Sequence, residues 1–133
     1  MESPVENKLQ TLLKSRKFVY LDGGMGTMLQ QNGLKLGQRP ELFVLEHPEA
    51  VAKIHRQYLE SGADVLYTCT FGANAHKLAG TGVSPAQVIK AAVAAAQKAA
   101  EGFPSPKPLI ALDIGPIGEL LEPAGTLSFR EAY

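Results

Sequence analysis

The sequence has one cysteine, no excess of either charge and no long apolar run, and each shortage excludes a class of protein. Because Cys69 is the only cysteine, no disulfide can form within the chain, which is typical of a reducing compartment. The 13 basic residues equal the 13 acidic ones, so the chain lacks the positive field that broad nucleic-acid binding requires. No apolar run approaches the roughly 18 residues that cross a bilayer, and the first residues do not resemble a secretion signal. We therefore expect a cytoplasmic protein with no affinity for nucleic acid or membrane.

The residues that are present predict a folded domain rich in helices. With 133 residues, of which 45% are apolar, the chain has the length and composition of one globular domain. Helical periodicity, capping residues and a terminal glycine predict four helices, at 4–15, 25–31, 48–61 and 84–101. Ser128 and Glu131 form a capping box that predicts the start of another helix, and the sequence ends soon after it.

Three apolar, β-rich runs predict strands that alternate with these helices, at 18–22, 63–68 and 109–113. Alternation of this kind predicts an α/β fold with a parallel sheet and right-handed crossovers. Small and polar residues follow each run, beginning at Asp22, Thr68 and Asp113. Because parallel α/β folds bind ligands at the carboxyl ends of their strands, these residues are the candidates for function.

The loop that begins at Asp22 is glycine-rich but matches no common nucleotide-binding motif. Gly24 and Gly26 are followed by Leu29 where the dinucleotide fingerprint requires a third glycine, and the P-loop lysine is absent. One interpretation is a tight turn in which glycine relieves steric strain. The other is a ligand loop, in which backbone N–H groups bind the carboxylate of a zwitterion while Asp22 binds its ammonium group.

The remaining reactive side chains predict no metal site. Cys69 and the three histidines match no common zinc spacing, so a zinc site built from this chain alone is not expected. His55 lies one residue from the apolar side of its helix and is interpreted as an ordinary boundary histidine. Cys69 is interpreted as a small buried thiol rather than a nucleophile. The hydroxyls of Thr68 and Thr70 could orient a small polar ligand, or reflect β propensity alone.

Three segments in register resemble the homocysteine S-methyltransferase family, in particular the homocysteine-binding domain of cobalamin-dependent methionine synthases. They are VYLDGGMGTM at 19–28, YLESGADVLYTCTFGAN at 58–74 and DIGPIGEL at 113–120. The resemblance covers the chain from about residue 16 onward. It implies a partial (β/α)₈ barrel, in which 1–15 is a leading helix and 16–133 supplies the first three strands and their crossovers. The full barrel needs about 250 residues, so we expect this chain to be an amino-terminal part whose third unit is cut short.

The resemblance also implies a reaction and a set of site residues. The family transfers a methyl group to the thiol of homocysteine, which gives methionine. By this resemblance Asp22 binds the amino group, Gly23 and Thr68 hold the amino-acid end beside Gly24, and three further residues belong to the pocket: Thr70, Phe71 and Asp113. Zinc activates the thiol in the family, and methylcobalamin is the methyl donor in the methionine synthases, which implies a corrinoid-binding domain or protein as partner.

Two departures from the family pattern keep other interpretations open. Cys69 stands where the family usually has asparagine, and the zinc-binding cysteines of the family's later strands have no counterpart here. We therefore expect this chain alone to be inactive as a methyltransferase. One alternative is a non-catalytic part-barrel that associates with itself or another chain through an exposed strand edge. Another is a corrinoid-linked methyltransferase of the same family that uses a different acceptor.

Overall fold

A computed structural model describes residues 4–133, with side chains from Lys8 onward; the predicted helix positions 1–3 lie outside the described residues. No helix within 4–133 is long and apolar enough to cross a lipid bilayer. The elements follow one another in the order α1 (Pro4–Ser15), α2 (Met25–Gln31), α3 (Pro40–Glu46), α4 (Pro48–Glu60), β1 (Val65–Tyr67), α5 (Ala75–Leu78), α6 (Pro85–Ala100), β2 (Leu109–Ala111) and α7 (Phe129–Ala132).

The two strands form a small parallel sheet, as the alternation of elements predicted. Val65 pairs with Leu109, and the register continues to Tyr67 beside Ala111. α4 and α6 cover one face of this sheet, where Leu66 is fully buried and Ile110 packs beside it. On the other face Val65 is buried, whereas Tyr67 remains 39% exposed. The carboxyl end of β1 is therefore accessible on this face.

The first predicted strand, at 18–22, is wrong as a strand, because only an isolated parallel bridge forms there, between Leu21 and Val65. The Asp22 N–H donates to the Val65 carbonyl at 3.0 Å, so the segment still runs beside β1. The Tyr20 N–H instead donates to the side-chain carboxylate of Asp64, which also pairs with Arg16. Because the Tyr20 N–H bonds a side chain, it cannot form a backbone hydrogen bond within the sheet. The segment therefore pairs with β1 over a shorter length than a full strand would.

The helix boundaries follow the predicted signals closely. Ser84 and Gln87 form a capping box at the start of α6, and Gly62 follows α4 with φ of +102°, a conformation that favours glycine. The capping box at Ser128 likewise begins α7. α3 and α5 were not predicted, since each is only one or two turns long and lacks a clear apolar period.

His55 is not a boundary residue, and the interpretation from the sequence is wrong. Its side chain is fully buried, because the residues one turn away on α4 are buried as well: Val51, Ala52 and Leu59. Neither ring nitrogen has a hydrogen-bond partner among the described residues. Desolvation lowers the pKa of His55 from 6.5 to about 4, so the ring is neutral at pH 7.

Candidate functional site

A cavity of about 300 Å³ opens at the carboxyl ends of the strands. It brings together five of the seven residues named from the sequence: Asp22, Gly23, Gly24, Thr68 and Asp113. These residues come from the ends of β1 and β2 and from the segment at 18–24 that runs beside β1, and the parallel arrangement places them side by side. Met25 and Tyr67 complete the lining. The cavity is the candidate functional site of the chain.

Asp22 supplies a half-buried carboxylate to this cavity. Its Oδ2 accepts a hydrogen bond of 3.0 Å from the Tyr67 N–H, which fixes the side chain across the end of β1. Desolvation raises the pKa of Asp22 above its ordinary value, the Tyr67 N–H opposes that rise, and the charge of Asp113 adds to it. Two carboxylates around one small cavity favour a cationic group there, because a cation relieves their mutual repulsion.

The glycines beside Asp22 present free backbone donors. The structure records no hydrogen bond from the N–H of Gly23 or Gly24 to any other described residue. Both glycines line the cavity, and backbone N–H groups without a partner can bind an anionic or carbonyl oxygen. The site therefore offers hydrogen-bond donors next to a carboxylate, which suits the two charged ends of a zwitterion.

Tyr58 supports this loop, and the sequence analysis did not assign it to the site. Its hydroxyl donates a hydrogen bond of 2.8 Å to the Gly24 carbonyl. Desolvation and then the charge of Asp22 raise the pKa of this hydroxyl. The signal in the sequence that could have found it is an aromatic residue with a polar tip near the end of its helix.

The two threonines after β1 are buried and hydrogen-bonded to each other. The Thr68 and Thr70 hydroxyl oxygens lie 2.8 Å apart, and the Thr70 hydroxyl donates to the Asp113 carbonyl at 2.7 Å. The Asp113 N–H in turn reaches the Thr68 oxygen at 3.3 Å. Since each hydroxyl has one proton, Thr68 must donate to Thr70, and it can then only accept from a ligand.

Thr70 and Phe71 do not reach the main cavity. They line a second, smaller cavity of about 50 Å³, which shares only Asp113 with the first. Phe71 is 53% exposed, and the Lys77 ammonium group lies 5.0 Å from its ring centroid. Asp113 thus stands between the two cavities, with Thr70 bonded to its backbone from behind.

The described residues do not fit a zinc ion. No group of three or more histidine, cysteine or acidic side chains within them is arranged to hold a metal. Burial, followed by the charges of Glu41 and Asp113, raises the pKa of the Cys69 thiol to about 12. A thiol that stays protonated at neutral pH is a poor metal ligand and a poor nucleophile, which agrees with the interpretation of Cys69 as a buried thiol.

Comparison with known proteins finds a match to the family model for homocysteine S-methyltransferase over residues 19–133. The chain is 31% identical over 128 residues to homocysteine S-methyltransferase YbgG of Bacillus subtilis, which covers 86% of this chain and 41% of that protein. It is 39% identical over 71 residues to pig betaine–homocysteine S-methyltransferase 1, covering 53% of this chain and 26% of that protein.

Comparison with solved structures also finds a homocysteine methyltransferase. The crystal structure of the metallated form of the homocysteine methyltransferase MmuM from Escherichia coli superposes with a TM-score of 0.74 at 30% identity. That match covers 83% of this chain and 42% of the other. The chain thus spans about two fifths of the length of the Bacillus and Escherichia proteins.

Proposed function

Because this chain belongs to the homocysteine S-methyltransferase family, we propose that its cavity binds the amino-acid end of homocysteine, the acceptor in a methyl transfer that gives methionine. The observation that carries this proposal is the meeting of Asp22, the free N–H groups of Gly23 and Gly24, and Thr68 in one cavity. A zwitterionic amino acid needs both a carboxylate and hydrogen-bond donors, and both are present.

Each residue has a defined task in this proposal. Asp22 accepts hydrogen bonds from the substrate ammonium group, whose charge offsets the repulsion from Asp113. The Gly23 and Gly24 N–H groups bind the substrate carboxylate, and the Thr68 oxygen accepts one further hydrogen bond. Thr70 and Phe71 act from behind the cavity, where Thr70 holds the Asp113 backbone.

The larger assembly is also a proposal. We propose that 1–133 belongs to one homocysteine-binding (β/α)₈ barrel domain, with 1–15 as its leading helix and 16–133 as its first three strand–helix units; the small parallel sheet supports this order. Zinc, a methylcobalamin donor and a corrinoid-binding partner rest on the sequence resemblance alone, and a cytoplasmic location rests on the composition of the sequence. Because the described residues do not fit zinc, we assign them no step of thiol activation and expect 1–133 alone to lack methyltransferase activity.

Calorimetric titration with two matched ligands tests the binding site. L-homocysteine carries an ammonium group, whereas 4-mercaptobutanoate has the same thiol and carboxylate without it. We expect Asp22→Asn to weaken homocysteine binding about tenfold or more and to leave the affinity for 4-mercaptobutanoate unchanged, because only homocysteine makes the charge-assisted hydrogen bonds.

Glu101→Gln changes an exposed acid outside the cavity and serves as the control. Equal losses for both ligands, or no homocysteine binding by the unaltered chain, would contradict the proposal. Tight binding of another thiol instead would favour the alternative acceptor.

A second candidate function is association through the sheet. Within the described residues β2 pairs only with β1, so its outer edge is unpaired. Leu21, Leu112 and Ile114 are exposed apolar side chains around this sheet, and Ile114 is 82% exposed. Sedimentation velocity over a range of concentrations tests this function. A defined dimer supports a part-barrel module, and a monomer at all concentrations contradicts it.

A further inference from the structure

The carboxylate of Glu41 on α3 is buried but serves no function described above. Its side chain is 8% exposed, and no ion pair within residues 8–133 includes it. A buried carboxylate without a cation is destabilising unless hydrogen bonds replace its lost hydration. The structure gives it one such bond, since the Gly72 N–H donates to Oε1 at 2.8 Å.

The contact between Glu41 and Gly72 is so close that no side chain fits between them. A Cβ added at Gly72 would lie 2.6 Å from Oε1 and 2.7 Å from the Cδ atom of Glu41. The carboxylate therefore rests directly on the backbone of the loop that follows β1. Gly72 is itself buried. The hydrogen bond from its N–H to Glu41 therefore fixes the position of the loop in the interior.

The peptide that Glu41 holds is also in contact with the loop that follows β2. A Cβ at Gly115 would come within 2.3 Å of the Phe71 carbonyl oxygen, so the loop after β2 packs against the Phe71–Gly72 peptide. Two residues before Gly72, the Thr70 hydroxyl bonds the carbonyl of Asp113. Movement of this peptide would therefore move Asp113, which lines the main cavity.

We propose that Glu41 is a positioning residue for the cavity, which fixes the Phe71–Gly72 peptide and through it the backbone from Asp113 to Gly115. Glu41 does not touch the ligand in this arrangement. Its effect on homocysteine binding rests on the proposed function, whereas its effect on the loop after β2 does not.

Three variants separate positioning from simple stabilisation. Glu41→Ala removes the acceptor, and Glu41→Gln keeps an oxygen for the Gly72 N–H while removing the charge. Val44→Ala is the control, because it removes buried apolar volume from the same helix on its core side. Urea unfolding ranks the stabilities of the three variants. Backbone amide chemical shifts of Asp113 and Gly115 report loop position in this 14.2 kDa chain, and calorimetry gives its affinity for L-homocysteine.

The expected result is a pattern rather than a single loss. Glu41→Ala should shift the Asp113 and Gly115 amides and weaken homocysteine binding about tenfold, because the Phe71–Gly72 peptide loses the acceptor that holds it in place. Glu41→Gln should keep most of the affinity for homocysteine and leave the two amide shifts close to those of the unaltered chain. Val44→Ala should destabilise the fold with little change in the affinity or in the amide shifts. Unmoved Asp113 and Gly115 amides in Glu41→Ala, or an equal loss of affinity in Val44→Ala, would overturn the inference. If the unaltered chain does not bind homocysteine, the proposed function fails, and the amide shifts alone decide the role of Glu41.

Discussion

The ring of Tyr58 occupies the space that a side chain at Gly23 would need. A Cβ at Gly23 would lie 2.9 Å from Cε1 of Tyr58 and 3.0 Å from its hydroxyl oxygen, closer than real Cβ contacts allow. Since that hydroxyl also bonds the Gly24 carbonyl, one side chain of α4 supports both glycines of the cavity. Gly23 is therefore required by its packing against Tyr58.

Gly23→Ala should destabilise the chain by about 1–3 kcal/mol, because the added methyl group overpacks against the Tyr58 ring. Urea unfolding measures the loss. In the double variant with Tyr58→Leu the smaller side chain leaves room for the methyl group. The double variant should therefore lose less stability than the two single variants lose together. Strict additivity would show that the loss in Gly23→Ala does not come from this contact.

Five of the seven residues that line the cavity could be predicted from the sequence. Asp22, Thr68 and Asp113 each follow an apolar run, and parallel strands bring their carboxyl ends together. The sequence could not predict that Thr70 and Phe71 would lie outside this cavity. Their position depends on how the chain turns after β1, where hydrogen bonds to Asp113 and Glu41 decide the path.

The errors in the fold have a similar origin in long-range contacts. The run at 18–22 has strand propensity, but its Tyr20 N–H donates to the Asp64 carboxylate instead of to a neighbouring strand. No local sequence pattern predicts this hydrogen bond. His55 was misjudged because its helix is covered on a wider arc than its apolar residues indicate. Helix ends were predicted well because their signals, such as Ser84 with Gln87, are local.

Thr70→Val should destabilise the chain by about 1–3 kcal/mol, since it leaves the partly buried carbonyl of Asp113 and the buried hydroxyl of Thr68 without their partner. The side-chain volume hardly changes, so the loss reports hydrogen bonding rather than packing. Thr70→Ser keeps the hydroxyl and should lose less. Urea unfolding of both variants measures the difference, and equal losses would mean that the methyl group contributes as much stability as the hydroxyl.

Ser84→Ala should destabilise the chain by about 1 kcal/mol, because it removes the side-chain acceptor for the Gln87 N–H at the start of α6. The matched variant Ser84→Asp keeps an acceptor at the cap and should stay within a few tenths of a kcal/mol of the unaltered chain. Thermal or urea unfolding distinguishes them. An alanine variant as stable as the aspartate variant would show that Pro85 and packing alone set the helix start.

The buried ring of His55 should make the chain sensitive to mild acid. Its folded pKa of about 4 lies below its ordinary value of 6.5, so the unfolded chain binds the proton more readily. The stability tied to neutral His55 is therefore complete above pH 6.5 and is lost progressively as the pH falls to 4. The full loss is about 3 kcal/mol, from a difference of about 2.5 pKa units. Urea unfolding at several pH values measures it.

His55→Leu isolates this effect from the titration of the carboxylates. Leucine has no proton to bind and leaves no ring nitrogen buried without a partner, so the variant should be as stable as the unaltered chain at pH 7 or more so. Its stability should then change much less between pH 6.5 and 4. His47→Gln changes an exposed histidine and should keep the full pH dependence. If His55→Leu loses as much stability in this range as the unaltered chain, other groups cause the acid sensitivity, and His55 has a partner in solution that shields its charge.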